Sequence, residues 1–108
     1  MLERLDHRQR LHLMKFVCAF AWADLSVHPE ERAYVERLVA RLGFAPDEEH
    51  QIRLWLISPP PEESVDPTTI PREHGRIFLA AVDGVVAADG VIAPEERESV
   101  RLLKELLL

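Results

Sequence analysis

Two pairs of carboxylates with the same spacing are the residues of this chain best suited to chemistry. Asp24 is followed seven positions later by Glu31, and Asp89 is followed at the same interval by Glu96. Carboxylate oxygens are the ligands that hard divalent cations prefer, so four of them brought together could hold Ca²⁺, Mg²⁺ or Mn²⁺. A structural role is the alternative, because loop aspartates accept backbone N–H bonds and a glutamate in a helix's first turn can help to cap it. The spacing alone leaves both roles open.

The segment that carries these acids occurs twice. Residues 23–32 read ADLSVHPEER and residues 88–97 read ADGVIAPEER, so that the second copy lies 65 positions after the first. The match continues beyond the acids through apolar positions, including Val35 with Val100 and Leu38 with Leu103. We therefore predict an internal duplication, with repeat one at about residues 13–43 and repeat two at about 77–107.

Apolar residues recur at spacings of three and four through most of the chain, which predicts helices. Proline followed by acids marks three helix starts, since proline suits the first helical position and the helix dipole favours negative charge there. A proline-rich connector at about 58–67 is expected to be stiffened toward polyproline II. The expected helices run from Leu2 to about Ala23, from Pro29 to the stop at Gly43, from Pro46 to Ser58, from Thr69 or Pro71 to Ala87, and from Pro94 onward.

These helices define the expected fold. We predict one all-α domain over residues 1–108, a compact bundle of five helices in which pairs one–two and four–five are related by a pseudo-two-fold axis and helix three bridges them. Gly75 and Gly84 in helix four should let a neighbour pack closely. The inward residues are expected to be Ile77, Phe78, Ala81, Val82 and Val85 in helix four, and Val100, Leu103, Leu106 and Leu107 in helix five.

Composition restricts the possible partners and location. The chain is 47% hydrophobic and 30% charged, as in a globular protein, and its net charge of −6 argues against nucleic-acid binding. The apolar stretch at 16–23 is too short to span a membrane, so we expect no membrane insertion and a cytoplasmic protein. Cys18 is the single cysteine and lies in that stretch, which predicts a buried, unreactive thiol.

Enzymatic chemistry is not indicated. No HExxH spacing, glycine-rich phosphate loop or activated nucleophile occurs, the five histidines are scattered, and Trp22 and Trp55 are expected to be packing residues. We therefore predict no catalytic residue. An interaction domain is the second hypothesis: the three leucines 106–108 cannot all face one core, so an exposed apolar patch could bind a protein partner or form a homodimer.

The segment 88–96, ADGVIAPEE, preceded by the small-residue helix 80–88, resembles the hallmark of TerB-like domains, the tellurite resistance TerB family. Asp89, Gly90, Ile92 and Glu96 match that pattern, and the first copy matches it except that Leu25 replaces the glycine. The resemblance implies an α-helical domain with a pseudo-two-fold arrangement and an acidic cluster that chelates a divalent metal, in stress-response and membrane-associated bacterial systems. It does not imply an established enzymatic activity. Tellurite resistance itself is not carried over, because a fold does not determine a phenotype.

Overall fold

The computed structural model describes residues 5–22, 27–88 and 94–107, and of residues 62 and 94–96 it describes the backbone only. Five α-helices and three short 3₁₀ turns make up this part of the chain, which contains no strand. The predicted all-α bundle is confirmed. The helices are α1 (His7–Ala21), α2 (Pro29–Leu42), α3 (Pro46–Ile57), α4 (Gly75–Val86) and α5 (Pro94–Leu107), and the turns are Glu62–Ser64, Pro67–Thr69 and Arg72–His74.

Proline begins three of the helices, as the sequence predicts. Pro29, Pro46 and Pro94 are the first residues of α2, α3 and α5, where the missing N–H has no helical acceptor to lose. Gly43 ends α2 with a φ of 70°, a left-handed conformation that glycine adopts without steric cost. Its N–H donates to Val39 O at 3.0 Å, which closes the last turn.

The predicted bounds of the first and fourth helices are wrong at their amino ends. The predicted start at Leu2 is replaced by a start at His7, because Asp6 caps the helix: Asp6 Oδ1 accepts the Gln9 N–H at 2.8 Å and Gln9 Oε1 accepts the Asp6 N–H at 2.9 Å. The fourth helix begins at Gly75, after two 3₁₀ turns, rather than at Thr69 or Pro71. Pro71 separates those turns, since it has no N–H to donate and disfavours a helical residue before it.

The connector also differs from the extended segment that its prolines predict. Residues Glu62–Ser64 form a 3₁₀ turn, in which the Ser64 N–H donates to Pro61 O at 2.9 Å. Asp66 then caps the turn Pro67–Thr69, accepting the Thr68 N–H at 2.9 Å. Local side-chain bonds of this kind compete with polyproline II, which has no internal hydrogen bonds.

The core lies between α1 and α4. Helix α1 contacts α2, α3 and α4, while α4 contacts α1, α2 and α5. Phe16 and Phe78 meet edge to face at the centre of this contact, with ring centroids 5.7 Å apart, and both are fully buried. All five residues predicted to face inward from helix four are buried. Burial of each of the four larger side chains, Ile77, Phe78, Val82 and Val85, contributes roughly 1.5–3 kcal/mol.

The duplication seen in the sequence extends to the helix bounds. Helix α5 has the bounds of α2 shifted by 65 residues, and the turn Arg72–His74 together with α4 covers the range of α1 shifted by the same amount. The residues that end the two central helices also correspond: Trp22 has φ −89° and ψ 4°, and Ala87 has φ −90° and ψ 0°. The segments that join the helices of each pair, residues 22–28 and 87–93 and called the two bends below, therefore begin with the same backbone conformation.

Corresponding ends of the two helix pairs also meet. Arg10 Nη1 donates to Leu42 O at 3.0 Å, which joins the start of α1 to the end of α2. At the positions 65 residues later, Gly75 lies against Leu107, and a methyl group added to Gly75 would be 3.2 Å from Leu107 O. A side-chain hydrogen bond in one copy is thus replaced by close backbone packing in the other.

Two predictions about the second helix pair have different outcomes. Gly84 does admit a close neighbour: Tyr34 of α2 packs on it, and a methyl group added to Gly84 would be 2.7 Å from Tyr34 Cε2 and closer still to Cζ and Oη. The inward placement of Leu106 is wrong, since its side chain is 65% exposed while Leu103 is 2% exposed. Leu102, four residues before Leu106 and on the same side of the helix, is also exposed, at 49%.

Candidate functional site

The structure describes only part of the predicted cation site. Glu31 lies in the first turn of α2, and Glu96 occupies the same position in α5, where its backbone alone is described. Asp24 and Asp89 fall outside the described residues. Within the described residues, no three His, Cys, Asp or Glu side chains are grouped so as to hold a metal ion. The meeting of the four carboxylates therefore stays a prediction.

Glu31 performs the capping role that the sequence offers as an alternative. Its Oε1 accepts the backbone N–H of His28 at 2.8 Å. The side chain is nevertheless 0% exposed, and it is the one fully buried acid of the described chain. Moving a carboxylate out of water is unfavourable unless bonds or opposite charge compensate it.

Glu48 shows what the capping role alone requires. It occupies the corresponding position in α3, and its Oε1 accepts the Ala45 N–H at 3.0 Å. Its side chain remains 17% exposed and meets His7 Nε2 at 2.7 Å near the surface. The same hydrogen bond thus forms without complete burial, so capping alone does not account for the burial of Glu31.

Buried residues and an indole hydrogen bond lie next to the two bends. Ala21 and Val86, the last residues of α1 and α4, are 0% and 2% exposed, and each precedes the aspartate of its bend by three residues. Trp22 Nε1 donates to Trp55 O at 2.7 Å, which ties the start of the first bend to the end of α3. Trp22 and Trp55 are packing residues, as predicted, and the indole hydrogen bond adds a positional role for Trp22.

Tyr34 is a residue that the sequence reasoning missed. Its hydroxyl donates to Ala81 O at 3.1 Å across the α2–α4 contact. Burial raises the pKa of the Tyr34 phenol, while the nearby Arg37 and Arg41 act in the opposite direction. The sequence signal for this contact was Gly84, since a glycine inside a helix often marks a place where a large neighbouring side chain packs.

Three of the five histidines and the cysteine behave as packing or capping residues. His28 and His74 precede α2 and α4 as their cap residues. His12 Nε2 bonds Thr69 Oγ1 at 2.9 Å, and its ring packs against Phe16. Cys18 is fully buried, as predicted, and burial raises the pKa of its thiol to about 12. A thiol with such a pKa is protonated at neutral pH and is a poor ligand or nucleophile.

Comparison of the chain with protein-family models, with characterised proteins and with solved structures finds no match. Among the described residues, no helix has both the length and the apolar character needed to cross a membrane. The case for a function therefore depends on the residues themselves, above all on Glu31 and on the repeated frame that carries the two acidic bends.

Proposed function

We propose that this chain is a non-enzymatic, TerB-like module that binds a divalent cation through Asp24, Glu31, Asp89 and Glu96 and acts in bacterial stress response. The observation that carries the proposal is the complete burial of Glu31. The repeated helix bounds support it, because they give Glu96 the same helical position and give both aspartates the same distance from a buried helix end. Ca²⁺, Mg²⁺ and Mn²⁺ are the candidates, since the proposed ligands are all oxygens.

The described carboxylate fits this chemistry. Glu31 Oε1 accepts one N–H bond from His28, and a carboxylate has about four lone-pair sites on its two oxygens. A carboxylate can thus cap a helix through one oxygen and also coordinate a cation. A bound ion would place opposite charge beside the buried Glu31 carboxylate and would join the two helix pairs.

Calorimetric titration with Ca²⁺, Mg²⁺, Mn²⁺ and Zn²⁺ tests the proposal, with Glu31→Gln and Glu48→Gln as a matched pair. Glutamine keeps an oxygen that can cap the helix but carries no charge. Glu31→Gln should weaken cation binding at least about tenfold, a loss of about 1.4 kcal/mol, whereas Glu48→Gln should leave binding unchanged. Absence of binding heat for every ion, together with no shift in melting temperature, would remove the cation site.

A protein-interaction domain with purely structural acidic bends is the second candidate. Leu102 and Leu106 of α5 are 49% and 65% exposed, which favours an apolar patch available to a partner or a second copy. Sedimentation of the wild type and of the double variant Leu102→Ser/Leu106→Ser tests it. A homodimer that the double variant disrupts supports this role, and a strict monomer that tolerates the substitutions in every partner assay removes it.

A further inference from the structure

A groove of about 210 Å³ lies between α2 and α3. The two helices are joined by the short segment 43–45, and both contribute residues to the walls of the groove. Ile52 and Leu56 of α3 belong to the buried core, so the apolar floor of the groove is continuous with the interior. The lining consists of four apolar residues, Val39, Ala40, Ile52 and Leu56, and three charged ones, Glu36, Glu49 and Arg53.

The volume of the groove restricts what can occupy it. Small-molecule sites usually measure about 300–1,000 Å³, so this groove suits one or two aliphatic side chains rather than a whole ligand. Ala40 is exposed and contributes only a methyl group to the wall. A longer side chain at this position would fill the space without disturbing the core.

The charges that line the groove select a cationic partner. Glu36 stands on α2 and Glu49 on α3, so each helix contributes a carboxylate, against the single guanidinium of Arg53. In the described part of the chain these three groups form no ion pair with one another. Lysine or arginine from a partner would therefore meet available acceptors, and the net charge of −6 would favour its approach.

We infer that the α2–α3 groove binds a helical segment of a partner protein that presents an aliphatic side chain beside lysine or arginine. This is the helix-in-groove mode, in which apolar anchors enter a groove and charges at its edge set specificity. A second copy of this chain is the competing occupant, since exposed Leu102 of α5 lies beside the exposed Arg101 and Lys104, and self-association that Ala40→Leu abolishes would assign the groove to it. The inference is independent of the proposed cation site.

Fluorescence anisotropy of two labelled synthetic peptides tests the inference. One is an amphipathic helix of leucine and lysine, and the other has glutamate in place of each lysine. The lysine peptide should bind saturably at one site, and the glutamate peptide should not bind. Ala40→Leu should weaken binding at least about tenfold by filling the groove, while Glu36→Gln and Glu49→Gln should each weaken it about two- to fivefold, as expected for exposed charge pairs.

Matched variants separate the groove from general electrostatics. Ala33→Leu adds the same side chain at another exposed position of α2 that does not line the groove, and Glu105→Gln removes a charge from α5. Both should bind the lysine peptide like the wild type. The inference is overturned if neither peptide binds, if both bind equally, or if Ala33→Leu and Ala40→Leu have the same effect. If the Leu102→Ser/Leu106→Ser variant loses binding of the lysine peptide while Ala40→Leu binds it like the wild type, the binding surface lies on α5 instead.

Discussion

Gly84→Ala should destabilise the protein because the space for a side chain at this position is already filled by Tyr34. The added methyl group would lie 2.7 Å from Tyr34 Cε2 and closer to Cζ and Oη, distances that packed atoms do not tolerate. The ring cannot move away freely, since its hydroxyl bonds Ala81 O at 3.1 Å. The substitution therefore displaces α2 from α4 or breaks that hydrogen bond.

The size of the effect follows from three contributions. Overpacking a well-packed contact costs about 1–3 kcal/mol, and losing the hydrogen bond from Tyr34 to Ala81 costs about 1 kcal/mol. The higher helix propensity of alanine than of glycine raises the free energy of unfolding by about 1 kcal/mol. The expected net loss in the free energy of unfolding is about 1–3 kcal/mol, which lowers the melting temperature by about 4–12 °C for a domain of this size.

The other repeat supplies the compensating change. At the positions that correspond to Gly84 and Tyr34 by the 65-residue offset, it has Ala19 and Ser99. Urea unfolding should thus show Gly84→Ala to be strongly destabilising in the wild type but neutral or stabilising in a Tyr34→Ser background. Gly75→Ala is the control, with its nearest contact 3.2 Å away at a backbone oxygen and an expected effect below about 1 kcal/mol. Equal losses from Gly84→Ala in both backgrounds would refute this reasoning.

Three further predictions use the remaining described contacts and the proposed site. The free energy of unfolding should fall as pH drops below about 6.5, because burial, followed by the charge of Lys15, lowers the pKa of His12 in the folded protein. The unfolded chain then binds a proton that the folded protein does not. His12→Gln should reduce this pH dependence in urea unfolding between pH 7 and 5, and an unchanged pH dependence would contradict the assignment. Cys18 should resist thiol reagents at pH 8 until the protein unfolds, since burial raises its pKa to about 12, and rapid labelling of the folded protein would disprove its burial. Divalent-cation affinity measured by calorimetry should decrease from pH 7 to 4 as the carboxylates take up protons, whereas a constant affinity would exclude carboxylate ligands.

Helix type and most helix starts were predictable because they depend on local rules. A proline followed by acids favours a helix start through local interactions, and α2 and α3 do begin at Pro29 and Pro46. The start at His7 was missed because the capping box of Asp6 and Gln9 is a polar signal within an apolar pattern that continues back to Leu2. The 3₁₀ turns before α4 were missed because they depend on individual side-chain bonds such as that of Asp66.

Burial and pairing between distant residues were less predictable. The sequence gives Glu31 and Glu48 the same helical position and the same capping bond, yet Glu31 alone is fully buried. That difference depends on the tertiary surroundings of the two glutamates, which a local pattern does not contain. Leu106 was assigned inward for a related reason, since a run of leucines on α5 does not reveal which edge faces α4. For the contact between Tyr34 and Gly84, the glycine predicted a close neighbour, but nothing in the sequence identified that neighbour as Tyr34.

Paramagnetic broadening by Mn²⁺ in amide NMR spectra examines the proposed cation site most directly, because the effect reports which residues surround the ion. If one ion is held by carboxylates from both bends, substoichiometric Mn²⁺ should broaden the amides of Trp22 and His28 together with those of Ala87 and Ala88, and should spare Thr69 in the connector. Glu31→Gln should abolish both sets of changes at once. Broadening confined to one bend, or spread evenly over the acidic surface, would contradict a shared cation site.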